Sequence, residues 1–312
     1  MTEKRQKEIL SQYMNNDIDD SIFNLSVQEI IFLYSGILEE LKKNSTEELL
    51  EKKQTVFSDI IIRLMRSGTL YIAYHVVTGY PYIDVRGHAW IFSEKEYADN
   101  AAHHYRELGI PLKIKKLAGD EIMKEMFELC RIGIESLIVD NGQRSVIIYR
   151  KDILGENEPD RQEIFMCPEL MHEIIAAGEL MYASGGNHPS IPELNQKIKD
   201  MVIKSEFLVP VKLDRHIPDG EKIRIDEATP AEFALVSPFR PDQSFISVFT
   251  DWTEFQKLYS KDEWNAAFLG FDAIREAAKK ANGFIIDPAS VMYAVPNAPV
   301  SKQKDKRSEA HK

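Results

Sequence analysis

Asp84, Arg86 and His88 occupy alternate positions between two strand-like runs, a spacing that turns their side chains to one face of an extended segment. A carboxylate beside an imidazole is a minimal set for acid–base chemistry, so Asp84 and His88 form the first pair a hydrolase would use. His103 and His104 are adjacent on a helical stretch, where neighbours point about 100° apart and cannot share one metal. His103 and Glu107, one turn apart, do share a face, yet two ligands fall short of a zinc set. Asp226 and Glu227 lie in a long polar excursion, and His216 sits too far upstream to pair with them. The glycine cluster Ser184-Gly185-Gly186-Asn187-His188-Pro189-Ser190 follows a helix and lacks the lysine of a phosphate-binding loop, so it reads as a linker. These residues read as solvated surface. No catalytic residue, metal site or cofactor is expected.

Binding is the alternative use of the same loops. Tyr71, Tyr74, Tyr80, Tyr82, Trp90 and Tyr97 give the first half a heavy aromatic load, most of it read as core. Tyr80-Pro81-Tyr82 falls in a loop, where exposed aromatics would suit a contact surface. Phe239-Arg240-Pro241 is the corresponding feature of the second half. Tyr80, Tyr82, Arg86, Phe239 and Arg240 are therefore the candidate binding residues, on loops 78–88 and 214–244 or beside a cleft between the halves. The expected partner is a protein or a small ligand.

The chain has 312 residues, natural for two domains with a small helical piece, and its 44% hydrophobic content supplies a sizeable core. With 50 acidic against 39 basic residues the formal charge is -11, a sign that repels nucleic acid and anionic lipid. Lys113, Lys115 and Lys116 are read as the solvated face of a strand. Cys130 and Cys167 stand apart without paired spacing, which fits reduced, buried thiols in a cytoplasmic protein. Residues 1–12 lack the apolar stretch of a secretory signal, and the run 57–65 is interrupted by Asp59 and Arg63.

The elements that position these residues follow from periodicity. Leu25, Val27, Ile30, Ile31, Leu33, Tyr34, Ile37 and Leu38 recur at helical spacing within an N-terminal helical segment, 1–45. A first α/β module spans 46–150. Thr46 opens a helix to Arg66, and Leu70–Val77 and Ala89–Phe92 read as strands. Ser93 with Glu96 predicts a capping box for a helix to Leu108, and Leu112–Leu117 is a strand. Asp120 caps a helix to Arg131, and a hairpin then turns at Asn141-Gly142. Residues 151–189 form a linker with one amphipathic helix from Met171. The second module, 190–297, repeats the order: a helix from Ser190, strands at Phe207–Val211 and Phe245–Phe249, a helix from Thr250-Asp251, a short strand at Ala266–Leu269, a helix from Asp272, and strands at Phe284–Asp287 and Val291–Val295. The tail, 298–312, is expected to be disordered.

Two local matches argue for internal duplication. Trp90-Ile91-Phe92-Ser93 stands beside Ser247-Val248-Phe249-Thr250, and Leu137-Ile138-Val139-Asp140 beside Phe284-Ile285-Ile286-Asp287. The fold class predicted is α/β (α+β): two similar modules with mixed β-sheets flanked by helices. In the second module, Phe245–Asp251, the following helix and Phe284-Ile285-Ile286-Asp287-Pro288 resemble the N-terminal domain of the SseB (enhanced serine sensitivity) family, as does Phe207-Leu208-Val209-Pro210. Residues 190–296 carry the resemblance best. Residues 46–150 depart from it, with Asp140-Asn141-Gly142 in place of the Asp-Pro turn and Ala73 where the proline would be. The resemblance implies a bacterial protein and brings no catalytic residues. It implies a non-catalytic binding or adaptor role, with a regulator sensing an amino acid or similar metabolite as a further alternative.

Overall fold

The computed structural model describes residues 1–16, 18–155, 165–213 and 231–297. The chain divides into two compact units, Met1–Asp160 with Ile175–His188, and Arg161–Ile174 with Pro189–Lys312. Each contains a mixed α/β arrangement, with additional N-terminal helices in the first.

In the first unit α1 (Glu3–Met14), α2 (Val27–Lys43) and α3 (Glu47–Arg66) precede the sheet. Helix α2 starts at a full capping box: the Ser26 hydroxyl accepts from the Glu29 amide while the Glu29 carboxylate accepts from the Ser26 amide. Its apolar face buries Ile30, Ile31, Leu33 and Ile37, and α3 buries Val56, Ile60 and Leu64, so the two helices pack along matched stripes. Then follow β1 (Thr69–His75), β2 (His88–Phe92), α4 (Lys95–Glu107), β3 (Leu112–Ala118), α5 (Asp120–Arg131), β4 (Ser136–Val139), β5 (Val146–Tyr149) and α6 (Arg150–Leu154). The sheet order is β3-β1-β2-β4-β5, with β2 and β4 parallel and the other neighbours antiparallel. Trp90, Phe92, Tyr82, Leu112 and the small residues Ala73, Ala98 and Ala102 form a core between this sheet and α4.

Helix α7 (Pro168–Ala183), expected inside a linker, gives its first part to the second unit and its remainder, from Ile175, to the first. The second unit continues with α8 (Ile191–Lys204), β6 (Glu206–Leu213), β7 (Ala231–Phe233), β8 (Leu235–Val236), β9 (Phe245–Val248), α9 (Trp252–Gln256), β10 (Asn265–Gly270), α10 (Phe271–Ala277), β11 (Gly283–Ile286) and β12 (Tyr293–Pro296). Its sheets have the orders β10-β6-β7 and β12-β11-β9-β8, joined by paired amide–carbonyl bonds between Leu208 and Phe249 at 2.9 and 2.8 Å. Strands β7 and β8 lie in the stretch read as polar excursion. His216, Asp226, Glu227 and the tail 298–312 lie outside the described residues.

The two units use one pairing scheme. Ile91 faces Val139 across the parallel pair of the first, and Val248 faces Ile286 in the second. Tyr71 lies between Phe92 and Lys116, as Leu208 lies between Phe249 and Phe268. Val139 pairs with Val146, and Ile286 with Tyr293, across connections of equal length. Within these connections the Gln143 amide bonds the Asp140 carbonyl and the Ser290 amide the Asp287 carbonyl, both at 2.9 Å.

Two helix caps and one turn differ from expectation, and at Ser93 the reason is a distant acceptor that outcompetes a local one. Helix α4 has Glu94 at its N-cap without a side-chain bond, because the Ser93 amide and hydroxyl both donate to Asp140 at 2.7 Å. Helix α5 starts after Gly119 and is not capped by Asp120. In the β4–β5 turn the left-handed residues are Asp140 (φ 55°) and Gly142 (φ 90°), not Asn141.

Candidate functional site

The β1–β2 connection holds most of the residues chosen for chemistry. It begins at His75, the last residue of β1, and immediately folds back. The His75 amide donates to the Tyr80 carbonyl at 2.8 Å and the Tyr82 amide to the Ala73 carbonyl at 2.9 Å, while Pro81 bridges Tyr74. Tyr80-Pro81-Tyr82 thus runs as an added strand stub along β1. Tyr80 and Tyr82, expected on an exposed loop, are consequently buried, at 6% and 7% exposure. Tyr82 packs edge-on against Trp90 at 4.9 Å, and Trp90 against Tyr105 at 4.5 Å. Two tyrosines of the candidate surface are core.

The Asp84 carboxylate does not reach the His88 ring through any described contact. One oxygen accepts from the Arg86 and His88 amides at 2.9 and 3.0 Å, and the other from the Trp90 indole at 3.2 Å. This is a side chain closing its own turn, the commonest use of Asp in a loop. The His88 ring instead lies 2.7 Å from the Ser136 hydroxyl, its neighbour across the parallel pair β2–β4. Arg86 is exposed, and beside it Val85 is wholly exposed. His103 and Glu107 form an exposed 3.5 Å pair on α4, as a surface reading requires.

Sequence reasoning missed the buried acid that anchors this loop. Glu179 of α7 is 5% exposed; it accepts from the Ile83 amide at 3.1 Å and from the Thr78 hydroxyl at 3.5 Å. Burial pushes its carboxyl up to about 9, so the group is neutral at physiological pH. Next to it His75 is stacked on Tyr82 and edge-on to Tyr182, with Nδ1 3.4 Å from the Thr78 amide and Nε2 unpaired. Burial lowers the His75 value, which keeps that ring neutral too. The site is a set of neutral, buried ionisable groups holding a loop, and it leaves apolar tips outside. Glu179 had a detectable signal, a carboxylate on the apolar helix 168–183, but its partners lie about a hundred residues away.

In the second unit Phe239 is 52% exposed and Arg240 is exposed, with the Phe239 ring edge-on to Phe245 at 5.7 Å. A second buried acidic group surrounds Asp287, whose carboxylate accepts from the Thr250 amide at 3.0 Å and hydroxyl at 2.7 Å. Asp251 caps Glu254, and Glu254 is held by Lys257 at 2.7 and 2.8 Å and by Ser290 at 2.7 Å. Burial, with Asp287 and Asp251 nearby, pushes the Cys167 thiol up to about 12, which removes it as a thiolate nucleophile. Cys130 is buried and Cys167 only partly so. Gly185 and Gly186, with φ of 58° and 80°, end α7 through bonds to Tyr182 and Met181. Among the described residues no group of three or more His, Cys, Asp or Glu side chains could hold a metal ion, and no helix is long and apolar enough to cross a membrane.

No family model and no curated protein matches the chain. Among solved structures, one described as Anabaena Tic22 (protein transport) aligns over 74% of this chain and 92% of its own, at 11% identity and a TM-score of 0.17. A score that low carries no argument about fold or role.

Proposed function

We propose that this chain is a non-catalytic bacterial adaptor of the SseB-like type, a cytoplasmic protein made of two divergent copies of one module and binding a protein partner. One observation carries the reading. On the β1–β2 connection Asp84 and Glu179 bind the chain's own amides, whereas Val76, Val77 and Val85 are turned outward at 56%, 54% and 100% exposure. Apolar tips on a loop pinned by buried bonds offer contact area at small ordering cost. Leu235 and Phe239, 55% and 52% exposed, supply the counterpart in the second unit. The shared pairing scheme of the two sheets supports the duplication, and the Asp287-Pro288 turn beside Thr250 supports the family resemblance.

Replacing Val76, Val77, Val85 and Phe239 together by serine should abolish capture of protein partners in a cross-linking pull-down from the native host, with the melting temperature unchanged. Capture equal to wild type would overturn the reading. A hydrolase remains the alternative on the 2.7 Å contact of His88 with Ser136. Hydrolytic activity lost in His88→Ala and kept in the serine variant would favour it instead.

A further inference from the structure

We infer that the outer edge of β3, with the face of α4 beside it, is the docking groove for an extended acidic segment of the partner, which adds to the sheet as a further strand. The inference rests on the binding reading above and specifies the ligand's chemistry. Strand β3 ends the sheet, and among the described residues no strand pairs with its other side. Antiparallel pairing alternates, so its register decides which main-chain groups face out. The Val76 amide donates to the Pro111 carbonyl at 3.0 Å and the Gly119 amide to the Gly68 carbonyl at 3.4 Å, which places the odd-numbered residues of 111–119 toward β1. Leu112, Ile114, Lys116 and Ala118 therefore turn their amides and carbonyls outward. The Glu121 carboxylate covers the Ala118 amide at 2.9 Å. No described group covers the other outward positions in the same way.

Along this edge runs a groove of about 570 Å³, walled by Asp99, Ala102, His103 and Arg106 on α4, by Leu112, Lys113 and Ile114 on β3, and by Val76. Its floor is apolar, and its rim carries Arg106 and Lys113 against the single acid Asp99. Arg106, Lys113 and Lys116 are exposed and form no ion pair with a described residue, while the nearest acids are engaged, Asp99 with Lys95 at 2.5 Å and Glu107 with His103 at 3.5 Å. On a chain of net charge -11 this is a local reversal of sign. Lysines on a sheet edge repel a second copy of the same edge, which would set cation against cation. The strand such an edge admits is an acidic one, with alternate apolar side chains for Leu112, Ile114 and Ala102 to receive.

A phage-displayed library of random peptides about nine residues long selected on the full chain tests this. Enriched peptides should be net negative with β-branched or aromatic residues at alternate positions. Binding of the tightest one should weaken at least about tenfold in the surface variant Arg106→Glu with Lys113→Glu. It should weaken comparably in Ile114→Pro, which deletes an outward amide and leaves the ladder to β1 in place. Melting curves of both variants confirm that they fold. Enriched peptides without negative charge, or binding unmoved by either variant, would overturn the groove. Native-host capture that persists while no peptide binds β3 would overturn the groove alone and leave the adaptor reading standing.

Discussion

Glu179→Gln stabilises the first unit by about 4 kcal/mol at pH 8 relative to pH 5, measured against the parent at each pH. The reason is a carboxyl whose value in the folded chain is about 9 against 4.5 in the open chain, with burial as the leading cause. A value raised by folding means stability is fully present below about pH 4.5 and is lost as pH climbs toward 9, at about 1.4 kcal/mol per pH unit. Glutamine removes the titration and keeps the bonds: its oxygen accepts from the Ile83 amide, and its nitrogen faces the Thr78 hydroxyl. His75 contributes the opposite slope. Its value is lowered by burial, so its share of stability is present above about 6.5 and is lost as pH falls below that. The parent profile should be a dome, of which Glu179→Gln flattens only the alkaline side. Hydrogen exchange of amides in β1 and at 80–83 reads this unit separately from the other. An alkaline limb of equal slope in parent and variant would refute the assignment of a neutral carboxyl at 179.

What the sequence disclosed follows from the range of the interactions. Helices α2 and α3 were legible because the apolar stripe of the first and the Thr46 cap of the second are local signals, set within a few positions. The buried strands were legible for the same reason, and so was the repeat of Val139-Asp140 in Ile286-Asp287. Tyr80 and Tyr82 were misread as exposed because their burial depends on a loop folding back on β1, a pairing with no local signature. Asp84 and His88, offered only as the pair a hydrolase would use, share a face by alternation, but a shared face does not fix a hydrogen bond; the carboxylate accepts from the Arg86 and His88 amides. Ser93 lost its expected capping role to an acceptor 47 positions away. The edge groove was out of reach in principle, since only strand order tells an edge lysine from any other exposed lysine.

That same aspartate supplies the second large effect. Asp140→Ala and Asp287→Ala should each destabilise their own unit by about 3 kcal/mol. Both residues are buried in the left-handed region, with φ of 55° and 47°, where a short polar side chain is tolerated and alanine is strained. Each carboxylate accepts an amide and a hydroxyl from the residue ending the neighbouring parallel segment, Ser93 in one unit and Thr250 in the other. Truncation orphans a buried amide at Thr250 and a half-buried one at Ser93. The asparagine variants separate the two sites. Asp287→Asn keeps an acceptor for the Thr250 amide, can donate to its hydroxyl, and relieves a carboxyl whose ionisation burial and Glu254 already oppose, so it should be neutral or stabilising. In Asp140→Asn the new amide nitrogen must occupy the place of an oxygen that also accepts from Gln28 at 2.6 Å, and Gln28 cannot turn over because its nitrogen also donates to the Arg144 carbonyl at 3.2 Å. Donor would meet donor, and the cost should be about 1–2 kcal/mol. Exchange rates at β2–β4 and β9–β11 measure the two units side by side. Equal alanine costs with unequal asparagine costs is the pattern a single device used twice must give, with one copy tied to α2 through Gln28; asparagine tolerated equally at both sites would mean that Gln28 does not hold the first.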